Sequence, residues 1–284
     1  MNGRLFGMMC LVFLMVVGGD CRSGDAAALI QGLPTGQMNW LNGTLRATGI
    51  AKPTGKRALN PTDPQKILSS AKVAAQQNLL KFVKQIRISS LERVETLANS
   101  DPLFMAKIQE LIKQAPVVKQ FYLSDGTVTI ILELSLSGAF YQLVMPHEVE
   151  QIDIVTPVNL SAQREGKRPD ESIWTGLVID AYGLTLNPAL VPRIVDERGD
   201  RIYGPEFISR DFAVRWGGCG YISALDPSVK TDRIGSHPMI VRGIRVKGPE
   251  RTDIVISTAD ASRIRAAAEH VFFMREGRVV VLVD

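Results

Sequence analysis

The residues best placed to do chemistry lie in Trp216-Gly217-Gly218-Cys219-Gly220-Tyr221, where three glycines surround a thiol and two aromatic residues flank it. Glycines free the backbone to expose N–H groups, and a thiolate is a strong nucleophile, but only where a neighbouring base or cation lowers its pKa. The run contains no such group. It also lacks the Lys and Ser/Thr of a phosphate-cradling loop and does not open a helix as a dinucleotide fingerprint does. Its plain reading is a tight turn, and its aromatic pair marks a candidate interaction loop exposed on the surface.

Other chemistry has less support. His147, His237 and His270 stand far apart, and none has a second ligand at the i, i+4 spacing of a helical zinc site. Asp180 interrupts the apolar run Thr175–Ala181, where a carboxylate is costly to bury unless paired, and Arg193 on a neighbouring strand is the expected partner. Ser209-Arg210-Asp211 shows no Gly-x-Ser-x-Gly elbow. The residues therefore name no catalytic set, cofactor or metal.

The composition bounds the class. Of 284 residues, 45% are hydrophobic and 22% charged, as in ordinary globular proteins, which excludes a disordered chain and a multi-span membrane protein. The net charge of +4 is spread among interspersed signs and aromatics are 6%, so the interleaved basic stripe of a nucleic-acid binder is missing.

The N-terminus reads as an export signal, with Arg4 before the apolar run Leu5–Val17 and small residues from Gly18 to Ala28. A thirteen-residue run is short of the about 20 residues that span a bilayer. Ala26 and Ala28 suit a cut after Ala28, with a cut near Gly19 as the alternative, so residues 1–28 are assigned to the signal peptide. Cys21 sits where a lipoprotein carries its acyl chains, but Asp20 occupies a position that normally needs a small residue. Membrane association is expected only through lipidated Cys21 or through a partner. A cut after Ala28 leaves Cys219 as the lone cysteine, so packing rather than a disulfide must hold the fold.

The elements that position these residues divide into two modules, giving an α+β chain. In the first, Leu41–Ile50 reads as a strand and Thr62-Asp63-Pro64 starts a helix whose buried face is Ile67, Ala71, Ala74, Ala75, Leu79, Phe82, Val83 and Ile86. The small alanines let that helix sit close to a sheet. Asp101-Pro102 starts a second helix burying Phe104, Ile108, Leu111 and Ile112, and Val117–Leu123, Ser124-Asp125-Gly126 and Thr127–Leu136 form a β-hairpin. The charged stretch Ser161–Ser172 is the clearest linker, and residues 147–171 separate the modules.

The second module, residues 172–284, is a mixed sheet: strands at Thr175–Ala181, Leu190–Val195, Arg201–Tyr203, Met239–Val246 and Asp253–Ser257. A helix over Ala259–Met274 with Ile264, Ala268, Val271 and Phe272 inward follows, and then an interior strand at Arg278–Val283.

Trp40, Gly43, Ala47 and Gly49, with Ala71, Ala74, Ala75, Asn78 and Leu79, then Ser124-Asp125-Gly126-Thr127-Val128 and Pro146, resemble the bacterial outer-membrane small-lipoprotein family. That domain is similar to the N-terminal part of flagellar assembly protein T, and the likeness covers residues 37–146. Thr175-Gly176-Leu177-Val178-Ile179-Asp180-Ala181 and Thr252-Asp253-Ile254-Val255-Ile256-Ser257 resemble a module of uncharacterised bacterial envelope proteins. The resemblance implies envelope residence, at the periplasm or the periplasmic face of the outer membrane, and a non-catalytic role in assembly with envelope proteins, flagellar structures among them. The rival expectation is a small-ligand receptor or enzyme with its site between the modules, using Cys219 or Asp180.

Overall fold

The structure, a computed structural model, describes residues 28–53, 63–146, 149, 174–224, 233–267 and 270–284. The first module contains β1 (Ile30–Leu33), β2 (Gly36–Asn39), β3 (Thr44–Ala51), α1 (Asp63–Gln85), α2 (Val94–Ser100), α3 (Pro102–Gln114), β4 (Val117–Tyr122), β5 (Val128–Ser135) and α4 (Ala139–Val144). Its five strands form one antiparallel sheet in the order β1-β2-β3-β5-β4.

Alternation in β3 and β5 sends Leu45, Ala47, Val128, Ile130, Leu132 and Leu134 into the core. There they meet Ala71, Ala75, Leu79 and Val83 of α1. The alanines bring helix and sheet into contact as their size predicts. A Cβ placed on Gly49 would stand 2.1 Å from the Ala71 carbonyl oxygen and 2.3 Å from the Ala75 nitrogen, so the strand must be bare there. At the start of α3, Asp101 accepts from the Leu103 and Phe104 amides, and Phe104, Ile108 and Ile112 are buried. The other face of the sheet is wetter and carries a cross-strand Arg46–Glu133 ion pair at 2.6 Å.

The first strand starts later than the sequence suggests, since Leu41–Asn42 belong to the turn between β2 and β3. The residues before it form β1 and β2, which are too short and polar to show a clear period.

The second module contains β6 (Gly176–Asp180), β7 (Ile194–Val195), β8 (Arg201–Tyr203), α5 (Arg210–Trp216), β9 (Gly220–Ile222), β10 (Pro238–Lys247), β11 (Asp253–Ile256), α6 (Thr258–Ala266), α7 (His270–Arg275) and β12 (Val279–Leu282). The seven strands form a mixed sheet in the order β8-β7-β11-β10-β6-β12-β9. β6 runs parallel to both β10 and β12, and its first four residues are buried. β12 lies inside the sheet, as its unbroken apolar sequence requires.

The long expected helix runs as α6 and α7, with residues 268–269 outside the description. Ile264 faces inward, but Phe272 is exposed and Phe273 and Met274 are buried in its stead, because the two pieces do not keep one helical phase. Among the described residues no helix is long and apolar enough to cross a membrane. Cys21 and all of the expected signal and linker except Ala28 and Val149 lie outside the described residues, and Ala28 forms a β-bridge with Ile222, which is at odds with a cut directly after it.

The modules share a core, since one apolar cluster runs from Leu79 and Tyr141 to Tyr203 and Val281. Backbone bonds cross between them as well. Leu190 and Val191 donate to the carbonyls of Arg87 and Ile88, both at 2.9 Å, and Gly138 donates to Val214 at 2.7 Å. This corrects the expected strand over Leu190–Val195: its first residues bond to the other module, and only Ile194–Val195 join the sheet.

Candidate functional site

The glycine loop from Trp216 to Tyr221 is a pillar of the junction between the modules, which corrects the expectation of an exposed binding loop. α5 ends at Gly217, whose φ of 78° suits glycine, and the chain then enters β9. Gly218, Cys219, Gly220 and Tyr221 are buried and Trp216 is half-buried. The Arg233 guanidinium donates to three carbonyls, those of Gly277 at 3.0 Å, Trp216 at 2.7 Å and Gly217 at 2.9 Å, so a buried cation fixes the loop. Tyr203 donates its hydroxyl to the Gly218 carbonyl. The Tyr221 hydroxyl donates to the Ala189 carbonyl at 2.9 Å and accepts from its amide at 3.0 Å, while Trp40 of the first module packs edge-on against its ring at 5.7 Å.

Cys219 sits inside this pillar. Burial pushes its thiol up to about 12, outweighing the opposing charge of Arg233. A thiol so raised is protonated at neutral pH and is a poor nucleophile. Its Sγ donates weakly to the Gly220 carbonyl at 3.3 Å, so packing and not reactivity explains the residue.

Asp180 does not pair with Arg193. Its carboxylate lies 3.8 Å from Arg242 of β10 and accepts from the Tyr182 amide at 3.1 Å. The sheet order gives the reason, since β10 adjoins β6 whereas β7, which follows Arg193, is separated from it by β10 and β11. The Arg193 amide instead donates to Asp253 at 3.2 Å. His237 stacks on Trp174 at 4.7 Å, and among the described residues no group of three or more His, Cys, Asp or Glu is gathered.

Two features that sequence reasoning missed stand out. The first is a polar seam between the modules. Glu250 accepts from Arg93 Nε at 2.7 Å and Nη2 at 2.6 Å and from Arg87 Nε at 2.9 Å. Beside it the buried Ser90 hydroxyl donates to Asp253 Oδ2 at 2.7 Å. The Arg93 hydrogen bond, chief among several causes, holds the Glu250 carboxyl below its ordinary range. Next to the seam a shallow groove of about 150 Å³ is lined by Leu33, Met38, Trp40, Phe82 and Ile86 and ends at Arg87 and Arg93.

The second is the free edge of the first sheet. β4 has β5 on one side and no strand on the other among the described residues. Val117, Val118, Phe121, Tyr122 and Leu123 are all exposed there, Tyr122 at 65%. Lys119 is the sole charged side chain of the strand. A bulge between Val117 and Lys119 and the Lys119 charge shield the start of this edge, and the apolar run left open beyond them marks a contact site. The hint in the sequence was the apolar character of both hairpin faces, where β4 lacks the alternation that β5 shows.

Residues 176–284 match the family model described as Treponema pallidum Tp0624, second domain. The match covers the seven-stranded sheet and its helices, and it agrees with the expectation that this half is a recurring bacterial module. A comparison with curated proteins finds no match.

Proposed function

We propose that the chain is an exported, non-catalytic protein of the bacterial cell envelope that works by protein contact through the free edge of the first sheet. The observation that carries this reading is β4, with Phe121 and Tyr122 exposed on a strand whose outer side has no partner strand among the described residues. The signal-like N-terminus and the resemblance of residues 37–146 to the outer-membrane small-lipoprotein family and to flagellar assembly protein T support the envelope setting.

The occupant is an extended segment of another envelope protein, added as a further strand. Backbone hydrogen bonds would supply affinity, alternate apolar side chains would cover Val118 and Phe121, and a carboxylate would face Lys119. The shared core and the hydrogen bonds between the modules are consistent with a scaffold role.

The test places a photocrosslinking residue at Tyr122, with a tag after Asp284, in native cells. Envelope fractionation and mass spectrometry then read the partner and the processed N-terminus together. The expected result is one discrete envelope partner captured from Tyr122, lost when Phe121→Asp is added and absent from a crosslinker at exposed Arg245. A free monomer in the fractions, or capture indifferent to Phe121→Asp, overturns the reading.

A further inference from the structure

β10 is an interior strand, with β11 on one side and β6 on the other, yet only one of its faces is covered. Met239 and Val241 belong to the main core. Ile240, Arg242 and Ile244 alternate with them on the opposite face and are exposed, the two isoleucines by 53% and 46%. Over the neighbouring strands that same face is closed, because Val178, Val280 and Ile222 are buried with Ile234 in a small cluster of their own. A sheet face turned to water carries polar residues at alternate positions, whereas here two of three are apolar.

The charges beside the isoleucines have both signs. Arg242 is 78% exposed and stands opposite Asp180 of β6, 3.8 Å away. That is beyond hydrogen-bond reach and leaves the guanidinium donors unspent on this carboxylate. Asp180 accepts from the Tyr182 amide and Asp284 from the next amide, that of Gly183, so the acidic groups gather at the ends of β6 and β12. Glu197 feels the charge of Arg245, which leaves Arg242 as the cation that this face presents. A surface that sets a cation beside a carboxylate between apolar residues is complementary to itself when turned about a two-fold axis.

We propose that the bare face of β10 is a self-association surface on which a second copy of this chain packs about a two-fold axis. Ile240 and Ile244 meet their counterparts there, and Arg242 of each copy reaches Asp180 of the other. A partner of one charge sign would be repelled by half of this surface, whereas a second copy satisfies both signs at once. The face lies in the second sheet and is independent of the strand contact at β4.

The experiment follows the mass of the full chain by analytical ultracentrifugation over a dilution series. The natural chain is expected to sediment as a dimer that dissociates on dilution. Ile240→Glu and Ile244→Glu alter exposed side chains without entering the core, and each should weaken the dimer by at least about ten-fold. Arg242→Asp and Asp180→Arg should each be monomeric, because like charges then meet across the axis. An equimolar mixture of the two should restore a dimer, each copy supplying the sign that the other lacks. Circular dichroism checks that each variant folds, and if Asp180→Arg does not, the isoleucine variants and Arg242→Asp decide. Phe121→Asp should leave the dimer intact, which separates this face from β4. A natural chain that is monomeric throughout the series, a dimer indifferent to Ile240→Glu and Arg242→Asp, a mixture of folded charge variants that stays monomeric, or a dimer lost with Phe121→Asp overturns the proposal.

Discussion

Arg93 and Glu250, 157 positions apart, meet in a two-pronged contact, Nε to Oε1 at 2.7 Å and Nη2 to Oε2 at 2.6 Å. With Arg87 on the same carboxylate, the pair ties the end of α1 and the start of α2 to the turn after β10. Partly shielded contacts between charged groups contribute more than open surface pairs, since less water competes for them. Glu250→Ala is expected to lower stability by about 2 kcal/mol, and Arg87→Ala, which removes one bond, by about 1 kcal/mol. Urea denaturation of the full chain checks both, and an unchanged midpoint for Glu250→Ala would show the seam to be energetically idle.

Acid should find the same seam. The Glu250 carboxyl is held below its ordinary value, first by the Arg93 hydrogen bond and, against the opposing effect of burial, by Arg87. Its unfolded form therefore takes up a proton more readily than its folded form. The resulting stability is whole above the unfolded value of about 4.3 and is lost as pH falls through the lower folded value. Thermal melts between pH 7 and pH 3 are expected to fall more steeply for the natural chain than for Glu250→Gln. Asp125, Asp196 and Glu197, also lowered, leave a residual slope in the variant.

Gly49 is predicted to be the least replaceable small residue of the first module. A methyl there meets the α1 backbone itself, at 2.1 Å from the Ala71 oxygen, and backbone cannot swing aside as a side chain can. Gly49→Ala should cost about 3 kcal/mol or more by forcing helix and sheet apart. The measurement is the denaturation midpoint, with Gly32→Ala as the control, because nothing lies within 4 Å of its added carbon.

Cys219 should report on opening of the junction. With its thiol raised to about 12 by burial, almost no thiolate exists at pH 8 in the folded protein. Labelling by a disulfide reagent is expected to be slow in buffer and to accelerate in urea along with loss of tryptophan signal. Fast labelling in buffer would place the thiol in a reactive site after all.

What the sequence made legible was whatever repeats over short distances. The faces of α1 and α3, the Asp101 cap, the hairpin around Asp125-Gly126 and the interior position of β12 all follow from local period and turn chemistry. Contacts set by strand order or by docking of the modules were invisible. Arg87 and Glu250 stand 163 positions apart and look like ordinary surface charges. Successive strands often adjoin, which would set Arg193 beside Asp180, but the sheet inserts β10 there. The glycine loop suggested exposure because flanking aromatics and glycines are common to binding loops and to tight packing, and only the arrival of Trp40 and Arg233 tells them apart.

A last consequence concerns the order in which the chain can assemble. Ala28 forms a β-bridge with Ile222, and the Leu29 amide donates to the Tyr221 carbonyl. The earliest described residues are thus completed by a strand that lies about 190 positions further along the chain. As the chain emerges, α1 can settle on the central strands, but the edge at β1 has to wait for β9, and β9 in turn for β12. Contacts so distant along the chain close slowly. Until β9 and β12 are in place, the β1 side of the first sheet therefore lacks the contacts that join it to the second module.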